Sequence, residues 1–330
     1  MAKNIIGCVF IAFFSLYAHT SLAIDLGMRP DVQHYIEFVC ENYDFDENLL
    51  TSWFNQIDFN QEVLEKLHPH GKPMSWYDYR QAFITPKRVK QGVHFWKKNA
   101  QALQLASQRY GVPESIIVGI IGVETSYGEN KGDYPVFSTL ATLAFNDPSR
   151  SKYFKSELTS FLLLSQQAGW NPLSIKGSYA AALGLPQFMP SSYRNYAIDS
   201  NSKGYADLIN NDHDAIYSVA YYLNRKGWHE GDPVAMPAKV TNKNYLQLKN
   251  TPSKTFFTLK KLQSLGLKKT TPVSDSLNAR VLFLEYPGMY APWLTFHNFA
   301  VIKRYNASDK YAMAVYQLGN IVAKAANQEE

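Results

Sequence analysis

The sequence predicts a mainly helical α+β fold. Between Arg29 and about Trp228, apolar residues recur at helical spacing, and turns such as Thr85-Pro86 separate the segments. From 233 to 299 the pattern changes to short Val-, Tyr-, Phe- and Leu-bearing runs broken by Pro, Asn and Gly, which indicates strands and turns. A last helix is predicted from about Asp309 to Ala326. Together these observations favour a helical protein that carries a small β-rich insertion.

Turn and cap residues set the predicted ends of individual elements. The helix predicted from Asn99 to Tyr110 stops at Gly111, because glycine readily takes the left-handed conformation that ends helices. Pro113 suits the first turn of the next helix, where its missing N–H costs nothing. In the β-rich segment, Arg280–Tyr286 is a strand candidate that Pro287-Gly288 terminates. The last helix has one apolar stripe, made of Tyr311, Val315, Leu318 and Val322.

The composition fits a chain with a large buried core and excludes several classes of protein. Of the 330 residues, 46% are hydrophobic and 18% are charged, so disorder is not expected. The formal charge is +5, but the basic residues are scattered, and we therefore predict no nucleic-acid partner. The sequence contains no Walker loop, no dinucleotide fingerprint and no Cys or His pairs at zinc spacing. Ordinary side chains should carry any chemistry.

The first 23 residues have the features of an export signal. Lys3 precedes an apolar run from Ile5 to Tyr17, and Ser21-Leu22-Ala23 has the small residues of a signal-peptidase site. A membrane anchor is the alternative, but the run is shorter than the roughly 20 residues that a spanning helix needs. A lipidated Cys8 is a second alternative. It is disfavoured because the apolar run follows Cys8, so that cleavage there would leave the run on the product.

One carboxylate continues an apolar helix face. In the segment GVPESIIVGIIGVETSYG, residues 111–128, Ile116, Ile120 and Glu124 fall on one stripe at about 100° per residue. Gly119 and Gly122 leave a smooth surface elsewhere on the helix, which predicts the close approach of a neighbouring element. The helix is therefore expected to lie at the centre of its domain.

The surroundings of Glu124 suggest a chemical role. Burial among apolar side chains disfavours the ionised form and raises the pKa of a carboxyl group, so that the group holds a proton near neutral pH and can donate it. A structural role is the alternative: Glu124 would then cap its helix or pair with a base such as Arg194 or Arg225. The position of the residue alone leaves both interpretations open.

Four motifs, in order, resemble the lytic murein transglycosylase B family over about residues 30 to 325. They are VPESIIVGIIGVETSYG (112–128), LATLAFNDPSRSKYF (140–154), NPLSIKGSYAAALGLPQFMPSSYRNYAID (171–199) and RYNASDKYAMAVYQLG (304–319). The resemblance implies a core similar to goose-type lysozyme. The implied organisation is a signal peptide at 1–23, an N-terminal helical region at 24–105, a lysozyme-like core at 106–232, a small β-rich domain at 233–299 and a C-terminal helix at 300–330 that completes the core.

The resemblance also implies an activity. Such enzymes cleave the β-1,4 bond between N-acetylmuramic acid and N-acetylglucosamine in peptidoglycan and leave a 1,6-anhydro end. Glu124 matches the family acid/base, and Ser178 matches a serine that hydrogen-bonds it. The residues matching substrate contacts are Gln187, Phe188, Tyr222, Tyr305 and Tyr311, with Phe188 as a sugar-stacking candidate. Two alternatives remain: a muramidase that activates water with Asp133 or Asp147, and a noncatalytic peptidoglycan-binding protein.

The sequence departs from the family pattern at two places. The family more often has glycine at the position of Ala181, and we expect the added Cβ to be tolerated. Relatives can carry a calcium loop similar to an EF-hand at Asp199–Asn210, but Lys203 and Asn210 occupy its fifth and twelfth positions and remove oxygen ligands. We therefore expect no structural calcium and no other cofactor.

The expected partner is the glycan strand of peptidoglycan, and the expected location is the periplasm. A monomer is expected. Partners among cell-wall synthesis or remodelling proteins, the preferred strand length and the stem-peptide requirement stay open.

Overall fold

The computed structural model describes residues 26–68, 71–251 and 255–328, and these are mainly helical. They form two compact units, one ending at Asp58 and the other starting at Phe59. This division falls inside the predicted N-terminal helical region, 24–105, whose boundaries stay a prediction. The predicted export signal and Cys8 lie outside the described residues. Every helix in the described part is too short or too polar to cross a membrane.

The first unit contains two helices after a short 3-10 turn at Leu26–Met28. Helix α1 spans Pro30–Asn42 and starts at a proline, whose fixed φ suits the first position of a helix. Helix α2 spans Glu47–Phe54, and the Asp46 side chain caps it by accepting a hydrogen bond of 2.7 Å from the Leu49 N–H. The fully buried apolar residues of this unit include Val32, Ile36, Val39, Leu50 and Phe54.

Twelve helices belong to the described part of the second unit. They are α3 (Gln61–Leu67), α4 (Trp76–Phe83), α5 (Pro86–Lys98), α6 (Ala100–Tyr110), α7 (Glu114–Thr125), α8 (Val136–Asn146), α9 (Ser151–Ala168), α10 (Pro190–Tyr196), α11 (Asp212–Arg225), α12 (Leu259–Ser264), α13 (His297–Ile302) and α14 (Asp309–Ala326). The predicted helix ends are confirmed at two places. Helix α6 stops at Gly111, whose φ is 68°, and α14 has the bounds that its apolar stripe predicted.

Two glycines allow α7 and α14 to pack in close contact. A Cβ on Gly119 would collide with the carbonyl of Val315, and a Cβ on Gly319 would collide with the carbonyl of Ser115. Only glycine permits this backbone separation, so the predicted close approach at Gly119 is confirmed. The contact matters for the site, because it brings the N-terminal part of α14 to the C-terminal end of α7.

In the described residues, the strands form two antiparallel sheets. The strands are β1 (Tyr134–Pro135), β2 (Lys176–Gly177), β3 (Ala235–Val240), β4 (Phe257–Thr258), β5 (Leu267–Lys269), β6 (Asn278–Tyr286) and β7 (Met289–Thr295). Strands β1 and β2 pair with each other, and the other five make one sheet in the order β4-β6-β7-β3-β5. Its longest pairing is the β6–β7 hairpin, which aligns Arg280 with Thr295 and Tyr286 with Met289.

The five-stranded sheet has its own apolar core. Met236, Leu262, Leu267, Leu294 and Phe296 are each less than 5% exposed and belong to one cluster of buried residues. The predicted strand at 280–286 lies within β6. A helical protein with a small β-rich insertion is therefore confirmed.

Candidate active site

Glu124 lies in the last turn of α7, one residue before the helix ends at Thr125. Its neighbours Val123 and Thr125 are 5% and 1% exposed, whereas the Glu124 side chain keeps an intermediate exposure. The acid is therefore enclosed by protein on most sides and still reachable from the surface. The apolar residues of α7 hold it there, because Ile116 and Ile120 on the same stripe are buried.

A tight left-handed turn follows the acid. Ser126, Tyr127 and Gly128 all have positive φ angles, of 51°, 60° and 93°. Such angles are costly for residues with a Cβ, and they persist only where the surroundings fix them. The Thr125 hydroxyl supplies part of that support: it accepts a hydrogen bond from the Gly128 N–H and donates one of 3.0 Å to the Leu185 carbonyl. The turn ends α7 abruptly and holds the acid at the helix terminus.

Tyr311 holds the carboxyl group of Glu124. The hydroxyl of Tyr311, from the first turn of α14, donates a hydrogen bond of 2.5 Å to Glu124 Oε1. Burial raises the pKa of Glu124 to about 7, while this hydrogen bond acts in the opposite direction. Within the described residues, Glu124 makes no ion pair with Arg194 or Arg225 and no second hydrogen bond. The second carboxyl oxygen is therefore left for a substrate.

Further tyrosines surround the Glu124–Tyr311 pair. The Tyr305 ring stacks at 6.4 Å from the Tyr311 ring, and its hydroxyl donates to the carbonyl of Pro186. Burial, reinforced by the nearby Glu124 charge, raises the pKa of Tyr305 and Tyr311 well above the usual range. Both side chains therefore stay neutral at physiological pH, and Tyr311 acts as a hydrogen-bond donor to the acid.

Tyr79 is a site residue that the sequence did not reveal. Burial and then the Glu124 charge raise the pKa of Tyr79 to about 12. Its ring stacks on Phe83 at 4.4 Å within α4. Arg88 of α5 joins this helix to the left-handed turn, because its Nε donates to Ser126 Oγ and its Nη1 donates to the Phe83 carbonyl. The segment WYDYRQAF resembles no motif and offered no signal.

Among the described residues, Ser178 makes no hydrogen bond to Glu124, so the predicted contact stays a prediction. The Ser178 hydroxyl instead accepts hydrogen bonds of 3.3 Å from the Ala180 N–H and 3.0 Å from the Ala182 N–H. These bonds fold the loop 178–182 onto itself, as serine side chains often do in turns. In the described part of the chain, Tyr311 is the residue that bonds Glu124.

Phe188 and Tyr222 pack against other aromatic rings. Phe188 is 2% exposed, and its ring packs 5.5 Å from the Tyr222 ring and 5.7 Å from the Tyr305 ring. Tyr222 is 7% exposed, and its hydroxyl donates to the Arg304 carbonyl at 2.7 Å. Both rings therefore pack against Tyr305, and direct contact of either ring with substrate stays a prediction.

Gln187 keeps a group that a substrate could use. Its backbone has a φ of 52°, and its Nε2 donates to the carbonyls of Gly184 and Lys131 at 2.9 and 3.1 Å. Both N–H groups of the amide are thereby engaged. The amide carbonyl, which makes no hydrogen bond among the described residues, remains as an acceptor on a partly exposed side chain. A substrate contact by Gln187 stays a prediction.

Comparison with known proteins decides the family. The family model described as "Transglycosylase SLT domain" matches residues 27–320. The chain belongs to this transglycosylase family. The membrane-bound lytic murein transglycosylase B of Escherichia coli (strain K12) is 40% identical over 313 residues, which cover 91% of this chain and 85% of the relative. The predicted family and the enzyme class of lytic transglycosylases are confirmed.

Solved structures of other family members have the same fold. Escherichia coli lytic transglycosylase Slt35, in complex with calcium, superposes with a TM-score of 0.85 at 40% identity, covering 92% of this chain and 96% of that one. Pseudomonas aeruginosa SltB3, in complex with NAG-NAM-pentapeptide, superposes with a TM-score of 0.80 at 26% identity, covering 89% and 79%. The lysozyme-like architecture is therefore shared across the family.

Ala181 has a backbone conformation that favours glycine. Ala181 has a φ of 65° and is fully buried. Its N–H closes a turn with the Ser178 carbonyl at 2.8 Å. Glycine adopts this left-handed conformation without cost, whereas alanine does not. The chain accommodates the methyl group at the expense of local backbone strain.

The segment Asp199–Asn210 does not offer the donor set of a calcium loop. The Asp199 carboxylate accepts hydrogen bonds from the loop's own backbone, among them 2.8 Å from the Gly204 N–H. At the twelfth position, Asn210 contributes an amide that lies 3.4 Å from Asp207 Oδ2, where a bidentate carboxylate would bind the ion. The described residues contain no cluster of three His, Cys, Asp or Glu side chains able to hold a metal. Calcium independence stays a prediction.

Asp133 and Asp147, the two acids considered for water activation, have surroundings different from those of Glu124. Asp147 is 4% exposed, and its carboxylate accepts hydrogen bonds from the Ser149 N–H and hydroxyl and bonds His68 Nε2 at 3.1 Å. Hydrogen bonding by Ser149 lowers the pKa of Asp147. Asp133 is exposed. Asp147 is therefore committed to the turn that connects α8 with α9.

Proposed function

We propose that this protein is a peptidoglycan lytic transglycosylase that cleaves the β-1,4 bond between N-acetylmuramic acid and N-acetylglucosamine and leaves a 1,6-anhydromuramoyl end. One observation carries the proposal: Glu124 has a pKa of about 7, with one carboxyl oxygen bonded to Tyr311 and the other without a partner among the described residues. A carboxyl group with such a pKa can give and recover a proton near neutral pH.

In the first step, Glu124 acts as the general acid. Its protonated carboxyl group donates to the glycosidic oxygen, and the bond to the anomeric carbon breaks. Tyr311 stabilises the carboxylate that forms, because its hydroxyl already donates to Oε1. The N-acetyl group of the muramic acid supplies the electrons that stabilise the cationic centre, so the protein needs no second carboxylate at this point.

In the second step, the same residue acts as the base. Glu124 takes the proton of the substrate's C6 hydroxyl, whose oxygen attacks the anomeric carbon and closes the anhydro ring. Attack within one sugar ring benefits from a high effective molarity, so water is not required. The bonds of Asp147 to Ser149 and His68 support this one-carboxylate scheme over a water-activating muramidase.

The test is digestion of purified sacculi followed by mass spectrometry of the released sugar ends. Wild type should release 1,6-anhydro ends, and Glu124→Gln should reduce their release by about 10²- to 10⁴-fold or more, because one group serves both steps. Glu114→Gln, in the first turn of the same helix, is the matched control and should retain the wild-type rate. Reducing ends would identify a muramidase, and no released ends from wild type would identify a binding protein.

We also propose export to the periplasm and binding of peptidoglycan glycan strands as a monomer. The relative from Escherichia coli is named membrane-bound, and the SltB3 structure contains NAG-NAM-pentapeptide, which supports a cell-wall location and a glycan ligand. Mass spectrometry of the mature N-terminus should find a start near Ile24. An acylated Cys8 at the mature N-terminus would contradict this prediction. Melting with calcium or with a chelator should give the same temperature, because Asn210 replaces the bidentate carboxylate.

A further inference from the structure

A cavity lies on the far side of α14 from the acid. It measures about 640 Å³, within the range of ligand pockets, and lies between α4, α14 and the five-stranded sheet. Helix α14 contributes Tyr316, Gln317 and Asn320, and Asn320 is about 180° around the helix axis from Tyr311. The cavity is therefore separate from the Glu124 site.

The walls of the cavity combine aromatic and apolar surface with a few polar groups. Trp293 and Tyr286 come from the sheet, Met236 and Val234 from β3 and the residue before it, and Thr271 from a loop. Gln317 and Asn320 add amides from α14. Such a lining suits a ligand with small apolar side chains and a peptide backbone, because amides and hydroxyls can satisfy the backbone groups while the rings cover the apolar parts.

Arg80 gives the cavity a positive charge. Its side chain is half-buried, and its Nε donates to Gln317 Oε1 at 3.1 Å, which fixes the guanidinium orientation. Among the residues that the structure describes, no aspartate or glutamate lines the cavity. Within the described residues, the Arg80 guanidinium makes no ion pair and no other hydrogen bond. A fixed guanidinium with unused N–H groups beside apolar walls is suited to a carboxylate.

We propose that this cavity binds a stem peptide of peptidoglycan through a peptide carboxylate on Arg80. The inference rests on the proposed function, which supplies a polymer whose muramic acid residues carry short, alanine-rich acidic peptides. Position in the fold supports it: the Arg80–Gln317 hydrogen bond joins α4 to α14, and α14 also carries Tyr311, which bonds Glu124. A strand in the cleft and a peptide in the cavity are therefore bound on the two sides of the same helices.

Binding at two places on one polymer increases the occupancy of the cleft. A peptide held at Arg80 raises the effective concentration of glycan near Glu124 without any new contact in the cleft. The contribution should appear on cross-linked or peptide-bearing polymer and should disappear on glycan strands without peptides. The chemical step at Glu124 should not depend on this peptide contact. Loss of the contact should therefore raise KM and leave kcat unchanged.

The first experiment compares two substrates, peptide-bearing sacculi and glycan strands stripped of peptides by an amidase. On sacculi, Arg80→Gln should raise the half-saturating substrate concentration by about 10-fold, as expected for the loss of one charge-assisted contact. On stripped strands the variant should match wild type. Arg225→Gln, which removes the same charge from an exposed position at the end of α11, is the control and should match wild type on both. An equal loss on both substrates, or no loss on either, would refute the proposal.

The second experiment measures direct binding of a free stem tripeptide, L-Ala-D-Glu-diaminopimelate, by calorimetry. Wild type should bind it, and Asn320→Asp, which adds a repelling charge at the cavity without touching Arg80, should weaken binding by about 10-fold. This variant also covers the case in which Arg80→Gln fails to fold. If wild type binds the peptide but releases no anhydro ends, the proposed function is refuted and the proposal that the cavity binds peptide stands. Release of anhydro ends without peptide binding would refute the peptide site and leave the proposed function standing.

Discussion

The raised pKa of Glu124 predicts a pH-dependent cost in stability that Glu124→Gln should remove. The pKa is 4.5 for an unperturbed glutamate and about 7 in the folded protein. The folded state therefore binds the proton more tightly than the unfolded state, and stability falls as pH rises from about 4.5 to 7. At 1.36 kcal/mol for each pKa unit, the loss is at most about 3 kcal/mol, and partial exposure of the side chain reduces it. Glutamine has no charge to desolvate, so the Glu124→Gln variant should not lose stability in this pH range.

The assay is thermal unfolding of wild type and Glu124→Gln between pH 4 and 9. The two should melt alike near pH 4, and the variant should melt several degrees higher above pH 7, since about 1 kcal/mol shifts the midpoint of a domain of this size by roughly 2–4 °C. Taking the difference cancels contributions of other carboxyl groups. Glu285→Gln, on the exposed part of β6, is the control and should show no pH-dependent difference. A variant that is less stable at pH 8 would show that ionised Glu124 is a structural partner.

Three further substitutions test the geometry. Ala181→Gly should raise the free energy of unfolding by about 0.5–1 kcal/mol, because the left-handed φ of 65° is relaxed for glycine, and chemical denaturation measures it. Tyr311→Phe removes the hydrogen bond that lowers the pKa of Glu124, so the alkaline limb of the pH–rate profile should move to higher pH while kcat falls; an unmoved limb would contradict the contact. Gly319→Ala should destabilise by about 3 kcal/mol, because the methyl group collides with the Ser115 carbonyl, and an unchanged melting temperature would contradict this packing.

Local chemistry explains why much of the fold could be predicted from the sequence. Gly111 ends α6 and the apolar stripe sets the bounds of α14, because caps and helical periodicity act over a few residues. The role of Gly119 was also accessible, since a glycine on a buried helix face leaves room for a neighbour. Glu124 stood out for the same reason: a charged residue on an apolar stripe is visible from spacing alone.

The partners of Glu124 could not be predicted in the same way. Tyr311 is 187 positions from the acid, and no local rule determines which side chain meets it. Tyr79 comes from another helix, in a segment without a motif. Motif context assigned a substrate contact to Phe188, but ring packing against Tyr222 buries it, and such packing depends on the three-dimensional arrangement of elements.

The approach of α7 and α14 links stability to the chemistry of the acid. A single carboxyl group that serves as acid and then as base needs a pKa near the working pH, and two opposed effects set it here: burial on α7 raises the pKa of Glu124, and the Tyr311 hydroxyl on α14 lowers it. The second effect depends on a 2.5 Å contact between the helices, which the glycines at Gly119 and Gly319 allow. A Cβ at the glycine contact should therefore change the pKa of Glu124 by separating Tyr311 from it. If the Gly319→Ala variant folds, the pKa of Glu124 should rise. The alkaline limb of its pH–rate profile should then move to higher pH, as in Tyr311→Phe.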